Sequence, residues 1–301
     1  MADAKASSEK EIKMSSILTN NSAMVALQNL RQINQNLATT QNEISTGKKI
    51  SRAQDNSAMW AISKVMESDV SGFKAVSTAL ALGESTVAVA STGAERITDL
   101  LKEMKQRIVA ATSGSADHSK ITSNVTELKN QITAIISGSQ FNGINLLNSP
   151  TTTEDGEGNK TVTGGGDITI LASLDRDHAG LVTASNITVA AVDFEAGLDL
   201  TKIDVSSETT AKASLKEIES LIQTAVDGAA ALGASTKRIQ DQSAFVSKII
   251  DSMKSGIGAI VDADMEEASA RLQALQVQQQ LGVQALGIAN KAPQTLLSLF
   301  R

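Results

Sequence analysis

From Leu272 through Asn290 no residue carries a charge, yet the stretch is patterned as a helix. Ala268, Leu272, Leu275, Gln279, Gly282, Leu286 and Ala289 fall at alternating spacings of four and three. That is a coiled-coil seam, with Gln279 and Gly282 as its weak members. Asp264, Glu266 and Glu267 precede it, and acidic residues suit the positive end of a helix dipole. Pro293 is expected to end or kink the helix. A solvated helix face ordinarily carries Lys and Glu. Here the positions off the seam are Gln, Ala, Val and Gly. A charge enclosed by protein is costly, whereas an amide finds partners. The helix is suited to contact with protein on several sides.

The other end of the chain mirrors it. Between Met14 and Asn42 the only charge is Arg31, and Ala23, Leu27, Leu30, Asn34, Leu37, Gln41 and Ile44 again alternate by four and three. Two charge-poor seams at opposite ends invite pairing with each other, and an enclosed Asn34 or Gln41 would set register at some cost in stability. The pattern alone equally fits two core helices of a monomeric bundle.

Between these ends the order is nearly a palindrome. Thr46–Met59 breaks the helical pattern, with turn signals at Gly47 and at Asp55-Asn56-Ser57, the latter able to cap a following helix. Ala58–Thr112 reads as helix, with loosening expected at Gly72, Gly83 and Gly93. Asp117–Ser137 carries the stripe Ile121, Val125, Leu128, Ile132 and Ile135, with Gly138 expected just past its end. Ser139–Leu147 (SQFNGINLL) reads as a turn and a short apolar run. Residues 149–206 change character. Asp167–Leu171, Asn186–Val192 and Ile203–Val205 alternate like short strands. Residues 151–210 hold 11 acids against 3 bases in a chain of net charge −6, which marks them as solvent-facing. Ser207–Ile260 returns to helix, with an apolar stripe of Leu215, Ile218, Leu221, Ile222 and Val226, then Ile239, Phe245, Val246, Ile249 and Met253. Asp262-Ala263-Asp264 marks a break before the last helix.

The expected fold is mainly α: a long antiparallel helical bundle or coiled coil formed by both chain ends, with a small β-rich central insert. The expected division is 1–13 a disordered extension, 14–46 the N-terminal helix, 47–57 a linker, 58–148 and 207–260 the two parts of a helical core, 149–206 the insert, and 261–301 the C-terminal helix.

Composition limits function. Aromatic residues are 2%, with no Tyr and one Trp, which suits close-packed helices better than an aromatic-lined pocket. The negative charge argues against nucleic acid. No cysteine is present, as expected of a protein working outside the cell without disulfides, though many cytosolic proteins share this. No apolar run opens the chain as a cleaved signal would, and Leu272–Asn290 is too rich in Gln to span a bilayer. His118 and His178 lack metal-ligand partners at usable spacing and read as exposed loop residues. Glu154–Asn159 lacks the ligand alternation of a calcium loop. Gly164–Gly166 reads as a linker, and Trp60 is expected at the joint between the break and the second helix. No catalytic constellation, cofactor site or metal site is expected.

Several segments resemble bacterial flagellin: Ser15–Leu30 (SSILTNNSAMVALQNL), Ile44–Ser63 (ISTGKKISRAQDNSAMWAIS), Ser139–Leu147, Asp262–Asp264, and Gln278–Arg301 (QQQLGVQALGIANKAPQTLLSLFR). They occur in the family's order at both ends, over roughly 14–148 and 206–301. The resemblance implies a structural subunit that polymerises into the flagellar filament, the propeller of swimming motility. It implies that the terminal seams pair as the innermost layer and the insert faces solvent. The self-association residues would be Ala23, Leu27, Leu30, Asn34, Leu37, Gln41, Ile44, Leu272, Leu275, Gln279, Leu286 and Ala289. Implied partners are further copies of the chain, the flagellar type III export apparatus, a flagellin chaperone, the filament cap and hook-junction proteins. Nucleic acid and membrane insertion are not implied. The implied location is extracellular, in the filament, without a cleaved signal.

Two departures stand out. Met1–Lys13 is extra relative to the family, and the family's common DDAAG is here Asp55-Asn56-Ser57-Ala58-Met59 followed by Trp60. The latter resembles α-proteobacterial flagellins. The alternatives are a hook–filament junction protein, which typically has Pro after its Asp pair where this chain has Ser57, and a flagellin-like surface adhesin. An insert bearing one Phe supports a carbohydrate platform poorly.

Overall fold

The computed structural model describes residues 20–154, 160–177 and 180–299. The Met1–Lys13 extension, the first residues of the N-terminal seam segment, most of Glu154–Asn159, His178, and the last two residues lie outside that range. The chain forms two compact units. One joins residues up to Glu67 to those from Ser255 onward, and the other is Ser68–Lys254.

Among the described residues six α-helices carry the fold. They are α1 (Asn21–Thr46), α2 (Ser57–Ala111), α3 (His118–Gly138), the short α4 (Phe194–Gly197), α5 (Glu208–Val261) and α6 (Met265–Leu299). The strands β1 (Gln140–Phe141), β2 (Ile144–Asn145), β3 (Pro150–Glu154), β4 (Lys160–Gly164), β5 (Ile168–Arg176) and β6 (Val182–Val189) lie between α3 and α4. They form a four-stranded sheet in the order β1-β2-β4-β3 and a separate β5–β6 hairpin. The expected architecture, long helices at both ends and a small β insert, is present.

In the second unit the core is a set of heptad stripes. On α2, Val70, Phe73, Val76, Leu80, Gly83, Val87, Ala90, Ala94, Ile97, Leu101, Met104, Ile108 and Ala111 are all buried, at spacings of three and four. On α5, Ala211, Ile218, Leu221, Ala225, Leu232, Ile239, Val246 and Ile250 are buried, and Val125, Leu128, Ile132 and Ile136 supply α3. The expected α5 stripe is displaced at two positions, since Val226 and Phe245 are exposed, Phe245 by 53%. A seam of period 3.5 drifts off any four-residue row within a few turns, so burial passes to Ala225 and Val246.

α2 does not loosen at its glycines. It is one helix of 55 residues, and Gly83 and Gly93 are places of close approach. A Cβ at Gly83 would overlap Ile170 of β5, and one at Gly93 would overlap Ser139 and Leu147. β5 is held there further by Arg176, whose Nε donates to Asp69 Oδ1 at 3.1 Å, and by Gln242 Nε2 donating to the Ala172 carbonyl at 2.8 Å. Three other expectations change. Gly138 is the last residue of α3 rather than a left-handed residue beyond it, because the Ser139 N–H and hydroxyl both donate back to Ile135 O, at 2.9 and 2.7 Å.

Ile203–Val205 is extended but is not a strand. Its alternation is real burial, with Ile203 and Val205 inside, but side chains take the place of a strand partner. Lys129 Nζ donates to Ile203 O at 2.7 Å, Ser214 Oγ both accepts from and donates to the Asp204 backbone, and His118 Nδ1 lies 3.0 Å from Val205 O. His118 is therefore a half-buried residue opening α3, not an exposed loop residue. Partial burial pushes the Lys129 ammonium down from its ordinary value, with Asp204 opposing the shift.

Candidate self-association surface

The two charge-poor ends pack against each other in the first unit, as α1 and α6. Their junction is built from backbone. Gly47 ends α1 in the left-handed region, φ 68°, which glycine adopts without a Cβ penalty. Its carbonyl accepts from Ala263 N at 3.0 Å, Lys49 N donates to Val261 O at 2.7 Å, and Lys48 bridges Asp262. Asp264 then caps α6, its Oδ1 accepting from Glu266 N and Glu267 N at 3.0 and 3.1 Å. Between α1 and α2, Asp55 Oδ2 accepts from Arg52 N at 2.8 Å and Ser51 N at 3.0 Å, and Asn56 Oδ1 accepts from Met59 N. The Arg52 backbone bond, with help from Ser51, holds the exposed Asp55 carboxyl below its ordinary range. Trp60 is half-buried in the first turn of α2, with Lys64 Nζ 6.0 Å from its ring centre.

Among the described side chains of α6 the covered positions are the seven read from the sequence. Ala268 and Leu275 are buried, and Leu272, Gln279, Gly282, Leu286 and Ala289 are half-buried. Along α1 the outcome is different. Ala23, Leu30, Leu37 and Ile44 are half-buried as expected, but Ala26, Ile33 and Thr40 complete the covered row, and Leu27, Asn34 and Gln41 sit exposed on its flank. α1 thus carries two rows that share every other member. The stripe facing α6 is the one with Ile33, whose Cδ1 and that of Leu30 come within 3.7 and 3.1 Å of where a Cβ on Gly282 would lie. Asn34 still touches α6, since Gln279 Nε2 donates to its Oδ1 at 2.7 Å. This amide pair ties the flank to the seam.

α6 continues through Pro293 to Leu299, so the expected stop does not occur there. At the free end of the pair, Asn20 Oδ1 accepts from Ala23 N at 3.0 Å, and Asn20 Nδ2 donates to the Ala289 carbonyl at 2.7 Å.

The pair leaves several aliphatic side chains uncovered among Gln, Asn and Ala. Met24 (58%), Val25 and Leu27 on α1, and Val277, Leu281, Val283 and Ile288 (72%) on α6, are exposed. Exposed aliphatic side chains on charge-poor helices are the kind of surface that protein contacts use. Among the described residues no group of three His, Cys, Asp or Glu side chains is placed to hold a metal ion, and no helix is long and apolar enough to cross a membrane.

Comparison with known proteins agrees with this arrangement. Residues 17–152 match the model of the bacterial flagellin N-terminal helical region, and 215–300 that of the C-terminal helical region. The chain is 40% identical to a flagellin of Brucella melitensis over 96% of its own length and all of that protein's. It is 38% identical to a flagellin of Caulobacter vibrioides over 96% of this chain and 99% of that one. With flagellin C of Rhizobium meliloti the identity is 34%, over 96% of this chain and all of that one. With both helical regions matched and α-proteobacterial relatives aligned along nearly the whole length, this chain belongs to the bacterial flagellin family.

Proposed function

We propose that the chain is a structural subunit of the bacterial flagellar filament and that α1 and α6 are its assembly device. The supporting observation is the half-covered pair itself. The side chains of Met24, Val25, Leu27, Val277, Leu281, Val283 and Ile288 stay in water in the single chain, and each aliphatic group enclosed by neighbouring copies contributes roughly 1.5–3 kcal/mol. The helices' uncharged faces can be enclosed without stranding an ion. On this reading Leu27, Asn34 and Gln41 belong to the contact with other copies, while Ala23, Leu30, Leu37, Ile44, Leu272, Leu275, Gln279, Leu286 and Ala289 hold α1 against α6. The 14–46 and 261–301 segments form the inner layer and the acidic insert faces solvent. The subunit acts outside the cell, after export through the flagellar type III apparatus, and meets a chaperone, the filament cap and the hook-junction proteins along that route. Its role is structural, not enzymatic.

The test is seeded polymerisation. Full-length monomer is added to short filament seeds and viewed by negative-stain electron microscopy, beside a chain ending at Asp262. Filaments from the full chain and none from the truncated one are expected. A full chain that stays monomeric, with its last forty or so residues already resistant to protease, would mean that the pair closes within one molecule.

A further inference from the structure

We infer that Asn20 is the positioning residue that lets the chain-end pair run past Pro293, by supplying a hydrogen bond that proline takes away. In an α-helix each carbonyl accepts the N–H four residues on. Pro293 has no N–H, so the Ala289 carbonyl has no helical donor, although α6 continues to Leu299. The Asn20 side chain stands in for that donor, its Nδ2 bonding to Ala289 O at 2.7 Å. The other atom of the same amide caps α1, Oδ1 accepting from Ala23 N at 3.0 Å. One side chain therefore serves an unpaired donor at the start of one helix and an unpaired acceptor inside the other. An amide can do both. An aspartate caps a helix as well but has no hydrogen to give. Asn20 and Pro293 are 273 positions apart and form one functional pair: the proline creates the vacancy that docks the start of α1 on α6. The consequence for assembly rests on the filament reading above. The pairing itself does not.

Four full-length chains test it: wild type, Asn20→Asp, Pro293→Ala, and the double variant. Asn20→Asp keeps the cap and removes the donor. Pro293→Ala restores the helix's own N–H. Hydrogen exchange is read at the amides of 286–292, in monomer and in seeded filaments. In the proline background Asn20→Asp should lower protection about tenfold, the scale of one net hydrogen bond. With alanine at 293 the same change should matter less than about twofold, because the carbonyl has regained its ordinary partner. Equal losses in both backgrounds, or no loss in either, would overturn the inference. Electron microscopy of the same samples judges the filament reading separately: no filaments with the coupling intact sinks the assembly role alone.

Discussion

The α1–α6 pair and the α2–α5 core are written in the same heptad pattern and end in opposite states. On α2 and α5 nearly every stripe residue is buried, and Ile170 at Gly83, Ser139 and Leu147 at Gly93, and Val192 and Phe194 at Gly228 cover sides that two helices leave open. Among the described side chains of α1 and α6 only Thr40, Ala268 and Leu275 are buried, while Met24, Leu281 and Ile288 remain in water. Two helices alone cannot enclose a seam that is apolar on more than one side. The same period therefore gives a finished core in one region and an unfinished one in the other, and on the filament reading proposed above further copies complete the chain-end helices.

The sharpest way to break this comparison is to cut equally deep into both regions. Leu101→Ala removes a fully buried side chain and should cost the second unit about 3 kcal/mol, seen as a lowered thermal midpoint by circular dichroism. Ile288→Ala removes a side chain that is 72% exposed. Its monomer should unfold within about 0.5 kcal/mol of wild type, while the concentration needed for filament growth rises about tenfold or more. A monomer destabilised as much as by Leu101→Ala, with unchanged growth, would erase the distinction.

A smaller effect is expected at the row boundary. Asn34→Leu removes the bond to Gln279 and completes the alternative row of Ala23, Leu27, Leu30 and Leu37. Because the chain has no cysteine, paired cysteines report the phase cleanly. In the wild-type background Ala26→Cys with Leu286→Cys should cross-link several-fold faster than Leu27→Cys with Leu286→Cys, and Asn34→Leu should narrow or reverse that ratio, within the roughly tenfold worth of one hydrogen bond. An unchanged ratio would mean packing alone sets the phase.

The smallest effect concerns the break between α1 and α2. The folded Asp55 carboxyl is held below its ordinary range by the Arg52 and Ser51 bonds. A depressed acid contributes stability that is complete above its unfolded value and lost as pH falls through the folded one. The Ser51 and Arg52 amide resonances should therefore hold steady through the ordinary aspartate range and shift only at lower pH. A midpoint at or above that range would show that these bonds do not favour the charged form. Asp55 is exposed, so little global stability should follow.

Much of this was legible in residue pattern. The five long helical stretches, the capping signal at Asp55-Asn56-Ser57, and the scarcity of charge on the terminal helices are local facts, and each appears where expected. The row chosen by α1 was not legible. Ala26 and Leu27, like Ile33 and Asn34, are adjacent residues that each extend a seam through Leu30, and spacing cannot say which faces a partner. β3 and β4 were missed because a Thr- and Gly-rich run has no alternation to read. Gly83 and Gly93 looked like weak points because their use lies on another element, in Ile170, Ser139 and Leu147.

The sequence by itself determined that long helices bound a small β insert and that the terminal helices shed their charges, because periodicity and composition act within a few turns of chain. Tertiary structure alone decided the phase of α1, the service of glycines as contact points, and the passage of α6 through Pro293. Each of these depends on a group far away in sequence (Gln279, Ile170 or Asn20) that supplies volume or a hydrogen bond no local pattern records.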